Sequence, residues 1–289
     1  VSVWSTPTID AKRNRIYFGT GENLSLPATD TSDAIVALDM DSGELVWRFQ
    51  ALANDVWNAA CLNGGANCPE NAGGDFDIGA SVVHAQLEDG LELLLVGQKS
   101  GDAMALDMDG KLVWKRQVSN AAIGPDLHQT TTNGGVHWGM SASTHTGLLY
   151  VPISDISRGT PDEQGAPGLF ALDLRDGNIH WQRQREPLCE ERNCFPGLSS
   201  AIISAPGIVV TGGLDGLLEV VDAVDGKLLW SFATGVEFTA VNGIDTSGGG
   251  FDALGPMLAD DLLIVSSGYG SFMQKGGNAL LVFEISGSK

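Results

Sequence analysis

The four cysteines of this 289-residue chain fall into two local pairs, Cys61 with Cys68 in CLNGGANC and Cys189 with Cys194 in CEERNC. Neither pair has metal-ligand spacing with a nearby histidine, and neither is a Cys-x-x-Cys redox motif. The simplest reading is two short loops, each closed by a disulfide, in an oxidising compartment such as a bacterial periplasm. Four free thiols in a cytosolic chain is the alternative. The five histidines (84, 128, 137, 145 and 180) form no His-x-x-x-His or His-Glu-x-x-His pattern, so no zinc hydrolase is indicated. Neither a Gly-x-Ser-x-Gly elbow nor a Walker loop occurs. Without a Cys-x-x-Cys-His, no c-type haem attaches within this chain. His137-Trp138 reads as the start of a strand, both residues packing in the core.

Charge narrows the field further. There are 36 acidic residues against 16 basic ones, a net charge of −20. Nucleic-acid binding needs Lys and Arg to displace counterions, so it is excluded, as is an anionic membrane surface. The acidity serves solubility and permits steering toward a basic protein. No apolar run approaches the roughly 18–20 residues of a membrane span. The chain starts at Val1 without a leader pattern, and we read it as a mature piece or a fragment.

One motif repeats along the chain and must set the scaffold. It reads AIVALDMDSGELVW (34–47), AMALDMDGKLVW (103–114), LFALDLRDGNIHW (169–181) and LEVVDAVDGKLLW (218–230), and NALLVFEISG (278–287) begins a fifth copy. Each copy is an apolar strand, an Asp, a turn ending in Gly and a second strand with Trp. Two further strand-like runs precede each copy, for example VWSTPTID and RIYFGTG in the first unit and IGASVVHA and ELLLVGQ in the second. Four strands joined by short turns make an antiparallel propeller blade. The 38 glycines, nearly double the usual share of roughly 7%, supply the turns. A blade buries its faces only against neighbours, and Trp suits that junction. Helix content is expected to be low.

The repeat resembles the tryptophan-docking motif of the eight-bladed PQQ-dependent (quinoprotein) alcohol dehydrogenases, over essentially the whole chain and in family order. VWSTPTIDAKRNRIYFGTGENLSLPATDTSDAIVALD, GGDFDIGAS, GGVHWGMSASTHTGLLYVPISD and the insert WNAACLNGGANCPENAGGDFD look most like the polyvinyl-alcohol dehydrogenase branch. The resemblance implies site residues one by one. Trp4 stands where the family places the floor on which the PQQ ring stacks, and it is not one of the repeating Trp. Asn23, with Glu22 in reserve, stands where an amide oxygen binds Ca²⁺, a hard cation that takes oxygen ligands. The catalytic base, also a metal ligand, falls to Asp77 by its position before the next strand. Asp75 and Asp55 are alternatives, because Asn58, which follows Trp57, cannot accept a proton. Lys99 matches the cation beside the quinone oxygens, where positive charge stabilises the developing anion. Ser154, next to Asp155, matches a polar PQQ contact, and Phe272 lies where relatives place a second aromatic.

The expected fold is therefore an all-β, PQQ-dehydrogenase-type β-propeller. Residues 1–289 would hold four blades and three strands of a fifth (roughly 1–50, 75–118, 136–185, 197–234 and 242–287), with no second domain. A small closed propeller is the alternative. The expected function is a periplasmic alcohol dehydrogenase oxidising secondary or polymeric alcohols by hydride transfer to PQQ, with Ca²⁺, and passing electrons to a cytochrome c. The competing class is a non-catalytic propeller scaffold of the bacterial envelope, and a third is a fragment with neither activity.

Overall fold

Each repeat folds as an antiparallel sheet whose strands follow chain order. The computed structural model describes residues 1–72, 74–119, 132–133, 135–157, 166–186, 188, 194–269 and 274–285. The first sheet contains β1 (Thr8–Asp10), β2 (Arg15–Gly19), β3 (Ala34–Asp39) and β4 (Leu45–Gln50). The second has β5 (Val83–Gln86), β6 (Glu92–Gly97), β7 (Asp102–Leu106) and β8 (Leu112–Gln117). A short ribbon, β9 (Thr132–Asn133) with β12 (Ile156–Ser157), flanks the third sheet. That sheet pairs β10 (Ser141–Ser143), β11 (Leu148–Ile153), β13 (Gly168–Asp173) and β14 (Ile179–Gln184). The fourth has β15 (Ile203–Ala205), β16 (Ile208–Gly212), β17 (Leu217–Asp222) and β18 (Leu228–Ala233). After a hairpin of β19 (Glu237–Thr239) and β20 (Asp245–Ser247), the fifth sheet has three strands: β21 (Met257–Ala259), β22 (Leu262–Ser267) and β23 (Ala279–Glu284). The hairpin takes residues expected to open the fifth blade, because Asn242-Gly243 turns the chain back on itself.

The core lies between consecutive sheets. Tyr17, Ile35 and Ala37 of the first pack on Ile78, Leu94 and Met104 of the second, all of them fully buried. Leu95, Ala103 and Ala105 meet Val136, Leu149 and Phe170 in the same way. The motif Trp residues complete these junctions. Trp47 Nε1 donates to the Met108 carbonyl at 3.1 Å, Trp114 Nε1 to Leu174 at 2.9 Å and Trp181 Nε1 to Ala223 at 3.3 Å. The turn glycine of the following repeat admits each ring. At Gly177, with φ at 69°, a Cβ would sit 2.5 Å from Trp114 Cε3. Ala or any larger residue would be both strained and in collision there.

The first strand of each sheet is laddered only over its last three or four residues. The preceding residues instead reach across to the previous sheet. Ile78 N–H donates to Thr20 O at 3.2 Å, Val136 N–H to Gln98 O at 3.1 Å, Leu198 N–H to Ile153 O at 3.1 Å and Phe251 N–H to Gly213 O at 3.0 Å. This bond recurs at every junction and frees the next side chain from the ladder. That next position holds Gly79, His137, Ser199 and Asp252 in turn, and Trp4 holds the corresponding place in the first sheet.

Candidate active site

The turn after β2 supplies Glu22, the approach to β5 supplies Asp75, Asp77 and Gly79, and the turn after β6 supplies Lys99. Backbone bonds fix them together: Gly21 N–H to Ser2 O at 2.9 Å and Lys99 N–H to Asp77 O at 3.1 Å. Lys99 Nζ then donates to Asp75 Oδ1 at 2.6 Å and to Asp77 Oδ2 at 3.1 Å. It also lies 4.8 Å from the centroid of the Trp4 ring. Asp77 Oδ1 accepts the Glu22 N–H at 3.0 Å. The Trp4 ring is seated over Gly79, where a Cβ would stand 1.9 Å from Trp4 Cη2. On its other sides it meets Trp138 edge-on at 4.9 Å and His137 edge-on at 5.8 Å.

Carboxylates outnumber cations here, and burial sorts their protons. Glu22 is pushed up to about 8 by burial and by its contact with the Asp77 carboxylate. Burial would raise Asp77 as well, but the Glu22 proton and Lys99 hold it below the usual carboxylate range. Burial acting on Lys99 is likewise outweighed by Asp75 and Asp77, which raise it. Asp75 is raised by burial despite Lys99. Asp77 is thus the ionised partner of a carboxyl pair and Glu22 the protonated one. Behind them, burial pushes Asp33 up to about 9 and Asp55 to about 7, with the neighbouring carboxylates adding to both. Glu22 Oε2, Asp55 Oδ2 and both carboxylate oxygens of Asp33 are buried without a hydrogen-bond partner among the described residues.

Asp33 gives a pH prediction whose sign follows from linkage. Its folded-state pKa lies above the ordinary value of 3.8, so between pH 4 and pH 9 the folded state keeps a proton that the unfolded chain has lost. Stability therefore falls as pH rises through this window. Asp33→Asn, which cannot ionise, is expected to flatten the fall and to raise the melting temperature at pH 9 relative to the parent. Thermal unfolding between pH 5 and 9 reads this, and a parent protein equally stable at both ends would refute it.

The expected site residues separate into two groups. Trp4, Asp77 and Lys99 come together. Asn23 turns away: its Oδ1 accepts from Thr29 N–H and Thr29 Oγ, both at 2.9 Å, and shapes the loop after β2. Glu22, one residue earlier, is the side chain that faces Asp77. Ser154 is buried just past β11, with its N–H on Gly135 O at 3.0 Å, and none of its bonds to described residues reaches Trp4, Lys99 or Asp77. Asp55 Oδ1 accepts the Trp57 N–H at 2.8 Å. Asn58 ties the insert down by accepting from Ala60 N–H and donating to Leu24 O and Asn67 O. Within that insert Cys61 and Cys68 form a disulfide. Cys194 is also disulfide-bonded, while Cys189 and Phe272 lie outside the described residues.

His137, Ser199 and Asp252 were not expected here. His137 Nδ1 is 2.7 Å from Ser199 Oγ, and Ser199 Oγ donates to Asp252 Oδ1 at 2.6 Å. Trp138 Nε1 donates to the same oxygen at 2.9 Å. Burial, followed by Lys99, pushes His137 down to about 4, so its ring is neutral. Their signal in the sequence was positional: each polar residue directly follows an apolar residue, Val136, Leu198 or Phe251, on the approach to an inner strand.

Comparison with known proteins adds the family context. The family model described as outer membrane protein assembly factor BamB matches residues 32–231, and that of the glucose/ethanol/alcohol dehydrogenase β-propeller domain matches residues 1–61. A polyvinylalcohol dehydrogenase of Sphingopyxis sp. (strain 113P3) is 37% identical over 99% of this chain and 45% of that protein. One from Pseudomonas sp is 36% identical, with the same coverage of 99% and 45%. The chain spans about half the length of the curated relatives it matches. Among solved structures, quinohemoprotein alcohol dehydrogenase from Comamonas testosteroni superposes with a TM-score of 0.68 at 19% identity, covering 99% of this chain and 49% of that one. BamB from Moraxella catarrhalis gives 0.54 at 14% identity, covering 97% and 57%.

Proposed function

Since the chain belongs to the PQQ-type β-propeller family, we propose that it forms part of a quinoprotein alcohol dehydrogenase acting on secondary or polymeric alcohols. The observation that carries this reading is one juxtaposition. A tryptophan ring seated on a glycine has a lysine ammonium 4.8 Å from its centroid, and that lysine is paired with an ionised aspartate. A binding scaffold of the BamB kind, the reading favoured by the longer model match, gives no reason to bury a lysine among carboxyls with unpartnered oxygens.

The residues fit the cofactor that the family implies. The Trp4 ring offers a flat aromatic floor, and Lys99 offers the cation for a quinone's oxygens. For a hard cation the chain brings oxygen donors, Asp77 and the unpartnered Glu22 Oε2. Asn23, whose oxygen serves its own loop, gives way to Glu22 in this role. No three His, Cys, Asp or Glu side chains among the described residues form a ready metal cluster by themselves, so calcium belongs to the proposal. When bound, PQQ supplies the two-electron acceptor for hydride, and the cation polarises its carbonyl. Asp77, ionised, takes the alcohol proton at a carboxylate oxygen. Lys99 holds positive charge beside it, and Trp4 with Gly79 fixes the plane of the bound ring. The Cys61–Cys68 disulfide supports a periplasmic location, where a cytochrome c would accept the electrons.

Reconstitution with PQQ and Ca²⁺ should produce reduction of a redox dye by propan-2-ol. No reduction, and no quinone absorbance on the protein, would remove the enzymatic reading. Gly79→Ala tests the floor separately. The added methyl collides with Trp4 and is expected to destabilise by about 1–3 kcal/mol and to weaken PQQ uptake, read by quenching of Trp fluorescence. Uptake at the parent's affinity would place the floor elsewhere.

A further inference from the structure

The Trp4 indole has no hydrogen bond of its own to hold its plane. Trp47, Trp114 and Trp181 each fix their rings by donating Nε1 to a carbonyl of the next sheet. Trp4 Nε1 makes no such bond among the described residues. Its neighbours Val1 and Val3 are exposed, and its strand joins the ladder only from Thr8 onward. The plane of this half-buried ring is therefore set by what surrounds it. Gly79 seats it, and the Lys99 ammonium stands 4.8 Å from its centroid on a flexible stem. Two rings meet it edge-on, His137 at 5.8 Å and Trp138 at 4.9 Å.

Edge-to-face contact is a favoured arrangement of two rings, but it orients one ring only if the other is itself held. Trp138 is held. Its Nε1 donates to Asp252 Oδ1 at 2.9 Å, across 114 positions of sequence. The same oxygen accepts from Ser199 Oγ at 2.6 Å and from the Ala253 N–H at 3.0 Å, so Asp252 is fixed in turn. Ser199 Oγ also lies 2.7 Å from His137 Nδ1, and His137 leans on Trp138 at 5.0 Å. Both edge rings thus end on one carboxylate oxygen. A bonded path runs from the approach to β21, through the third sheet, to the ring in the first.

We infer that Trp138, anchored by Asp252, is the positioning residue that fixes the plane of Trp4 and so presents a ready floor to a flat cofactor. Locking a contact residue through a second shell of packing and hydrogen bonds is what keeps a site in its working geometry. The identity of the cofactor rests on the enzymatic reading above, whereas the brace stands on its own contacts. It differs from the core-packing role expected of Trp138 from sequence.

The test reads the brace before any cofactor is added. Two indoles 4.9 Å apart with planes 74° from each other couple their far-ultraviolet transitions, and this is the one Trp–Trp contact among the described residues. Circular dichroism of the cofactor-free protein should show a couplet of opposite signs that is lost alike in Trp4→Phe and Trp138→Phe. Asp252→Leu keeps both indoles but removes the anchor. It is expected to lose most of the couplet and to raise the Kd for PQQ roughly tenfold, as when the held orientation falls to about one-tenth of the population. Asp252→Asn keeps an acceptor oxygen for the indole N–H and should restore both. A parent protein without the couplet, or an Asp252→Leu protein that keeps the parent's couplet or PQQ affinity, overturns the inference. If Asp252→Leu does not fold, Trp138→Phe carries the test: it keeps an aromatic edge without the anchoring N–H, and PQQ uptake at the parent's affinity overturns the inference. If the parent takes up no PQQ, the enzymatic reading falls, and the couplet in the parent and the Asp252 variants still decides whether Trp138 holds Trp4.

Discussion

Asp77→Asn is expected to reduce kcat for alcohol oxidation by roughly 10²–10⁴-fold, the usual contribution of a positioned general base, with little loss of folding. The asparagine oxygen can still accept the Glu22 N–H, which Asp77 Oδ1 accepts at 3.0 Å. Lys99 keeps Asp75 at 2.6 Å and is not left unpaired. What disappears is a carboxylate held ionised beside a protonated Glu22. An amide offers no such proton acceptor. Steady-state dye reduction, together with PQQ titration to show that the site still loads, measures this. Asp75→Asn and Asp55→Asn are the controls and should be far milder. Full activity in Asp77→Asn would move the base to one of these two.

The second large effect concerns the scaffold. Trp114→Ala should lower stability by about 3–5 kcal/mol, as truncations of buried large aromatics do. Its side chain is 8% exposed, its Nε1 holds Leu174 O at 2.9 Å, and its ring fills the space over Gly177. Truncation leaves both a cavity and an unpaired carbonyl between the second and third sheets. Trp230 is the internal comparison. It is 38% exposed, meets Phe232 of its own strand and Phe283 of the fifth sheet, and its indole N–H has no hydrogen-bond partner among the described residues. Trp230→Ala should cost well under half as much. Denaturant unfolding of both variants checks this, and equal losses would mean that burial and the indole hydrogen bond do not set what a junction tryptophan contributes.

Much of the scaffold was legible because its repeat is enforced by local chemistry. The run RIYFGTG became β2, and the Asp–Gly turns became the seats of the indoles. The hairpin of β19 and β20 had a legible mark in Asn242-Gly243, yet its strands are only three residues long and lie outside the repeat. In the candidate site, Trp4, Asp77 and Lys99 stand side by side, a juxtaposition the resemblance led us to expect. That Glu22 and not Asn23 turns toward Asp77 was not legible. Neighbouring side chains leave a loop in different directions, and the Thr29 donors that capture Asn23 sit six residues further on. The His137 chain was harder still. Its partners are separated by 62 and 53 positions, and only the stacking of sheets brings them together.

The freed position at the head of each inner strand separates the contacts made there from the pairing that holds the fold. Trp4, Gly79, His137, Ser199 and Asp252 occupy one structural address, repeated sheet after sheet. None of their side chains has a place in a strand ladder, so an exchange leaves pairing register intact and acts instead on the contacts these residues make with one another, Trp4 on Gly79 and Ser199 on Asp252. Along this row the chain reads W-G-H-S-D, five different residues at positions the strand ladders leave open, beside the Lys99–Asp77 pair that comes from the neighbouring turns.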